Sequence, residues 1–342
     1  MLALQKTEPK FGAQLGEVPE PKAGDGMLLV EVEAVGICGS DIHMYEWTQG
    51  YEWLTSALPV VMGHEFCGRV VSSPKDIAGP AEGARVVVMP STGCMVCKNC
   101  AAGRFDACRQ RTAIGLNTNG AFARFVRVPP SACFEIQEDL PAHIAALTEP
   151  VCVADRAVHF SDVELGDDVV VLGPGIIGLA TAYLARRRGA GKVTVVGKND
   201  PVRLDIARKL GIDRIIDLAD GSNLADHIEE RSVDRVFEAT GFSGSISQGL
   251  GLLRDYGMLV AIGIHHHHAP IDTTAFVRRK LQMRGAHSAG RDSWERVTGL
   301  IPGATADLEP LVTHRIGLDE AIDGFELCRA RDACKVVVEP GA

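Results

Sequence analysis

The sequence predicts an α/β protein of two domains: an irregular, mostly antiparallel β domain, then a doubly wound domain built on a parallel sheet. Three observations carry this. At 342 residues the chain is longer than one hydrophobic core usually supports. Up to about residue 151 it is dense in β-branched runs broken by glycine and proline. From about residue 152 short apolar runs alternate with helical stretches, the rhythm of βαβ units.

In the first domain the β-type runs are Leu28-Leu29-Val30-Glu31-Val32, Gly68-Arg69-Val70-Val71 and Arg85-Val86-Val87-Val88. Pro19, Pro21, Gly24, Gly26, Pro74, Gly79 and Pro80 punctuate them. In the second domain, strands are expected at 169–172, 193–196, 214–217, 233–238 and 258–262, with helices at 176–188 and 203–210. The two domains are expected to span 1–151 and 152–290. After that, a strand at 312–316, a helix at 318–329 and a strand at 335–338 do not extend the parallel sheet. Residues 291–342 are therefore expected to return to the first domain.

An apolar fraction of 46% with 23% charged residues is that of an ordinary globular protein. The net charge of −9 argues against a nucleic-acid or anionic-membrane partner. The longest apolar run, 169–185, is broken by glycine and proline and suits a strand–turn–helix better than a membrane span. Lys6, Glu8 and Lys10 stand where a signal peptide would be apolar, so none is expected. Ten cysteines in such a chain read as metal ligands and buried thiols, and a cytoplasmic location is the expectation.

Residues 36–43 read Gly-Ile-Cys-Gly-Ser-Asp-Ile-His, and Gly63-His64-Glu65 follows an aromatic-rich segment. A thiolate, an imidazole and a carboxylate are ligand types that hold zinc while one position stays open for substrate. Cys38, His64 and Glu65 are therefore candidate ligands of a catalytic zinc, weighed against a buried thiol and a satisfied histidine. Ser40 and His43 would sit beside it as a route for a proton, since imidazoles titrate near neutrality.

Cys94, Cys97, Cys100 and Cys108 form C-x2-C-x2-C-x7-C, on a loop (about 90–110) that also holds Gly93 and Gly103. Four thiolates can close a tetrahedron around one zinc and leave no position for substrate, which makes such a site structural. An iron–sulfur cluster or free thiols are the alternatives. The spacing departs from the ferredoxin run and lacks its following proline.

Gly173-Pro174-Gly175-Ile176-Ile177-Gly178 follows the apolar run 169–172 and opens a helical stretch. A strand, G-x-G-x-x-G and a helix make the Rossmann pattern, in which free N–H groups at the helix N-terminus receive a pyrophosphate. The next strand should end in an acid that accepts the ribose 2′-hydroxyl of NAD. Here it ends at Gly197, with Lys198 and Arg203 beyond. A small residue with nearby cations favours NADP over NAD. In the alternative, Asp200 takes the acid's role and the cations are solvated.

The four consecutive histidines His265, His266, His267 and His268 read as an exposed polar loop, or as an adventitious metal site. Tyr45, Trp47, Tyr51 and Trp53 either wall the substrate cleft or pack in the core. Cys67, Cys133, Cys152, Cys328 and Cys334 read as small buried hydrophobes.

Taken together, residues 36–43, Gly63-His64-Glu65, the four-cysteine lobe, Glu149-Pro150 and residues 173–178 resemble, in the same order, the zinc-dependent medium-chain dehydrogenase/reductase family. His43-Met44-Tyr45-Glu46-Trp47 and Val312-Thr313-His314-Arg315 resemble its L-threonine 3-dehydrogenases, and Thr148-Glu149-Pro150 its polyol (sorbitol-type) enzymes. The resemblance covers essentially the whole chain. It implies a GroES-like catalytic domain, a Rossmann domain and often a homotetramer. It also implies that Glu149 can approach the catalytic zinc, as a ligand or from just behind one. With the four-cysteine site, two zinc ions per chain are expected, one catalytic and one structural. The expected function is hydride transfer between a secondary alcohol (polyol, sugar or hydroxy amino acid) and NADP, or NAD, with a small-molecule partner only. An NAD enzyme of the L-threonine 3-dehydrogenase type, a zinc-free reductase and a non-catalytic relative are the alternatives. Gly197 is the departure, since the sorbitol and threonine enzymes commonly carry Asp there.

Overall fold

The computed structural model describes residues 1–74, 78–102 and 104–341, so Gly103 lies outside the described residues. The chain divides into two compact units, Met1–Glu149 with Gly290–Ala342, and Pro150–Ala289.

The first unit is built on a seven-stranded sheet. Its central strand, Leu28–Gly36, alternates buried Leu28, Val30, Val32 and Ala34 with half-buried Leu29, Glu31 and Glu33, the period of a strand with one covered face. It pairs antiparallel with Glu65–Ser72 on one side, Gly36 opposite Glu65. On the other side it pairs antiparallel with Lys335–Glu339, Val337 opposite Gly36. Lys335–Glu339 in turn pairs parallel with Val312–Gly317. Thus residues about 270 positions apart in sequence flank one strand end, where Ile37-Cys38 leaves the sheet. A core of Val30, Val32, Met44, Met62, Phe66, Val86, Phe122, Phe325 and Val336, with others, lies against it.

The second unit carries six parallel strands in the order Arg214–Asp217, Lys192–Gly197, Asp168–Leu172, Val233–Glu238, Leu253–Ala261, Gln282–Gly285. Val169, Val170 and Val171 are fully buried, as a central parallel strand with both faces covered requires. Strand order reverses around Asp168–Leu172, where nucleotides bind in such sheets. Helices Ile176–Arg187 and Pro201–Lys209 follow the first two strands in sequence. The strand expected at 258–262 begins at Leu253 instead, because Val233 pairs with Leu253 ahead of an irregularity in register. Among the described residues, no helix is long and apolar enough to cross a membrane.

Candidate active site

Cys38 ends the excursion from Leu28–Gly36 and is the N-cap of helix Gly39–Glu46, with its N–H donated to Asp41 Oδ2 at 3.0 Å. Gly63, at φ +94, turns the chain so that His64 leads into Glu65, the first residue of the neighbouring strand; a Cβ there would strike Phe122. Ligand atoms of Cys38, His64 and Glu65 all lie within 4.8 Å of one another. Ser40 Oγ is 3.1 Å from His64 Nε2. On the far side of the ring, His64 Nδ1 faces Asp41 Oδ1 at 3.5 Å.

Glu65 is held from behind. Lys335, 1% exposed, places Nζ 2.5 Å from Glu65 Oε2 and donates to Ile37 O at 2.8 Å. Glu65 Oε1 is buried with no hydrogen-bond partner, an arrangement that costs free energy unless a ligand completes it. The donor set and this orphaned oxygen fit a zinc ion with a position left for substrate.

The charges are interdependent. Burial pushes the Cys38 thiol up and Glu65 adds to the shift, while His64 and Lys335 oppose it. Burial disfavours a charged His64, yet Asp41 and Cys38 outweigh it and hold the ring well above its ordinary value. Burial also works against the Lys335 ammonium, and the Glu65 and Cys38 anions overcome it. Glu149, in the first turn of helix Thr148–Phe160, is not one of the three clustered donors. Its carboxyl is pushed up to about 7 by burial and then by the charge of Glu65.

The cysteine lobe is self-contained. Cys97 Sγ lies 3.5 Å from Cys100 Sγ and 3.8 Å from Cys108 Sγ, and Cys94 Sγ lies 4.0 Å from Cys100 Sγ. Bonds of about 2.3 Å to a tetrahedral zinc set its sulfur–sulfur edges near 3.8 Å, so the cluster already has the size of that site. Backbone N–H groups of Val96 and Cys97 hold the Cys94 thiol down to about 6. Gly93 is required, because a Cβ there would collide with Cys100 Sγ.

In the second unit the glycine-rich turn meets the same tests. Gly173 sits at φ +104 against Ala239 O, and a Cβ on Gly178 would collide with Gly173 O. Gly175 caps helix Ile176–Arg187 without a side chain, so its first N–H groups face outward for an anion. At the end of the next strand, a Cβ on Gly197 would stand 2.9 Å from Leu204 Cδ2 and 3.1 Å from Pro174 Cγ.

Known proteins place this geometry. The alcohol dehydrogenase GroES-like domain model matches residues 24–138, and the zinc-binding dehydrogenase model matches residues 177–302. The L-threonine 3-dehydrogenase of Sinorhizobium fredii is 35% identical over 346 residues, covering 99% of this chain and 98% of that one. The chain belongs to the zinc-dependent medium-chain dehydrogenase/reductase family. The L-threonine 3-dehydrogenase of Shewanella frigidimarina is 32% identical over 347 residues, covering 99% of each chain. Among solved structures, a candidate zinc-binding dehydrogenase of Sinorhizobium meliloti 1021 bound to NADP superposes with a TM-score of 0.88 at 30% identity, covering 99% of both chains. The 2R,3R-butanediol dehydrogenase of Bacillus subtilis superposes with a TM-score of 0.89 at 28% identity, again covering 99% of both. Like its relatives, this medium-chain dehydrogenase is an oxidoreductase acting on CH–OH groups.

Several expectations look different in three dimensions. Arg203 is not a solvated cation: it pairs through Nε and Nη2 with buried Asp200, which also caps helix Pro201–Lys209. Its Nη1 reaches the glycine-rich turn, 3.9 Å from where a Gly175 Cβ would stand. Lys198 is exposed. His43 lies on the same helix face as Ser40, one turn on, with Nδ1 3.3 Å from Thr48 Oγ1. Tyr45 is core and not a cleft wall: its ring packs between Phe11 and Phe325, and its hydroxyl donates to Glu326 at 3.0 Å. Tyr51 stays beside His43, with ring centroids 5.8 Å apart. His266, His267 and His268 are exposed, whereas His265 Nε2 bonds buried Glu238 at 2.8 Å. Asp41 and Lys335 escape a sequence reading. Asp41 has a weak signal, an acid in the first turn after Cys38; Lys335 has none, since a lysine opening an apolar strand is commonplace.

Proposed function

We propose that this enzyme oxidises a secondary alcohol (a polyol, sugar or hydroxy amino acid) and passes hydride to C4 of NADP, with one catalytic and one structural zinc per chain. The observation that carries the reading is the Cys38, His64 and Glu65 cluster with its unpartnered buried carboxylate oxygen beside Ser40. Bound zinc is a Lewis acid that lowers the pKa of a bound hydroxyl, as it lowers that of water from about 15.7 to about 7.

The protein's own groups do the rest. Asp41 orients the His64 ring through Nδ1, leaving Nε2 for the metal. Ser40 Oγ shares that Nε2, so in the loaded site its hydroxyl is released to take the substrate proton and pass it toward His43. Gly173, Pro174, Gly175, Ile176, Ile177 and Gly178 hold the pyrophosphate at the helix N-terminus. Gly197 leaves no carboxylate to repel a 2′-phosphate, and Lys198 is at hand for it. Asp200, the rival acceptor for the ribose of NAD, is engaged by its own helix and by Arg203, which supports NADP.

We read the chain as a homo-oligomer, a tetramer rather than a dimer. Edge strand Gln282–Gly285 is exposed throughout, and Val277 nearby in sequence is 72% exposed, which supports association of copies. The thiol clusters suit a reducing compartment such as the cytoplasm.

One experiment tests the core of this: metal analysis, then an alcohol panel read by reduced-nicotinamide absorbance with each cofactor. Two zinc per chain and turnover of a secondary alcohol with a higher kcat/KM for NADP are expected. A clear NAD preference overturns the cofactor assignment, and absence of turnover with both metals bound overturns the reaction.

A further inference from the structure

We propose that Lys335 is a positioning residue that fixes Glu65 as a one-oxygen ligand of the catalytic zinc and so makes Glu149 the carboxylate that exchanges with substrate. The inference rests on the reading that Cys38, His64 and Glu65 hold that zinc.

Three neighbouring strand ends build the device. Lys335 opens the strand on one side of Leu28–Gly36, and Glu65 opens the strand on the other. The lysine reaches past Gly36 to the glutamate. That passage exists only because residue 36 is glycine: a Cβ would collide with Glu65 Oε2 and lie 3.3 Å from Lys335 Cδ. A second bond, from Nζ to Ile37 O at 2.8 Å, ties the ammonium to the segment that delivers Cys38.

The consequence for Glu65 is geometric. Oε2 is engaged by the ammonium, and both side chains are 1% exposed, which disfavours chelation through both oxygens and a swing to solvent. Oε1, buried and unpartnered, is the oxygen left for the metal. Glu149 is placed differently. It enters from the start of a helix, stands outside the cluster of three, and feels Glu65, His64 and Lys335 through their charge.

Charge points the same way. Ionised Cys38, Glu65 and Glu149 exceed the charge of a divalent ion by one, and buried excess charge is costly. The Lys335 ammonium removes that excess while both glutamates are in place. Departure of Glu149 then leaves one positive charge, which the substrate oxygen neutralises once its proton has passed to Ser40. Asp41, the other buried carboxylate, is matched separately by the Cys38 N–H at a helix start and by the facing His64 Nδ1.

The test is chelator-driven zinc release from the full-length enzyme, with thermal unfolding as the check of folding. Wild type is compared with Lys335→Met, Glu65→Gln and Glu149→Gln. Loss of the group that orients a ligand should speed release of the catalytic zinc about 10- to 100-fold in Lys335→Met, and loss of the ligand itself at least as much in Glu65→Gln, with the four-cysteine zinc retained. Glu149→Gln should stay within a few-fold of wild type. Wild-type release in Lys335→Met, or equally fast release in Glu149→Gln and Glu65→Gln, overturns the proposal. If Lys335→Met does not fold, the contrast between the two glutamine variants decides alone. Fewer than two zinc ions in the wild type defeats the underlying site assignment instead, which separates the two failures.

Discussion

Gly197→Asp should erode the proposed preference for NADP over NAD, and its cost divides into two parts. The first is steric. The new Cβ would meet Leu204 Cδ2 at 2.9 Å and Pro174 Cγ at 3.1 Å, and Leu204 is buried at 1% exposure. Overpacking of this kind costs about 1–3 kcal/mol. Pro174 belongs to the pyrophosphate turn, so the strain would reach the cofactor site unless relieved. Leu204→Val removes a methylene from the crowded side, and the double variant is the cleaner test. The second part is electrostatic. Two unit charges 4 Å apart in water repel by about 1 kcal/mol, so a doubly charged 2′-phosphate should lose about 2 kcal/mol, or about 30-fold. NAD suffers no such repulsion and gains an acceptor for its 2′-hydroxyl. Steady-state kinetics with both cofactors should therefore show the NADP:NAD ratio of kcat/KM falling at least about 30-fold in Gly197→Asp/Leu204→Val. A folded double variant whose ratio stays unchanged would refute the reasoning, because the 2′ position would then be read elsewhere.

Cys38→Ser should abolish turnover and drop metal content from two zinc to one, and a fully active variant would sink the ligand assignment. Cys97→Ser should also remove one zinc, but from the distal lobe, with a lower Tm; unchanged metal content would count against the four-sulfur site. The pH dependence of stability reports Glu149. Its carboxyl moves from an ordinary 4.5 to about 7 in the fold, so between those values the folded protein keeps a proton that the unfolded chain has lost. With the catalytic zinc stripped, the stability this gives is complete below about pH 4.5 and disappears as pH rises through about 7, an upper limit of about 3 kcal/mol. Glu149→Gln should flatten that slope in denaturant titrations; an unaltered slope would exclude Glu149 as its source.

Much of the fold was legible because its signals are local. A continuous apolar strand running into G-x-G-x-x-G fixes strand, turn and helix within about a dozen residues, and the structure has all three. The four-cysteine spacing works in the same way. What stayed hidden depends on partners distant in sequence. Lys335 acquires its meaning only from Glu65, 270 positions away. Arg203 read as a cation for a 2′-phosphate, or as a solvated one with Asp200 in the acid's role; once the helix starts, the two pair with each other at i, i+3. Tyr45 followed an aromatic-rich pattern that suits a cleft, but helix Gly39–Glu46 turns it toward Phe325, which the sequence places in another part of the chain.

The arrangement around Gly36 also sets a timetable for the growing polypeptide. The cysteine lobe is complete within 15 residues and can capture the proposed zinc long before synthesis ends. The other centre cannot: a chain missing its last eight residues has no ammonium behind Glu65 and no strand Lys335–Glu339 beside Gly36. Trimming the C-terminus, far from every recognised motif, would therefore silence the chemistry while sparing the distal ion.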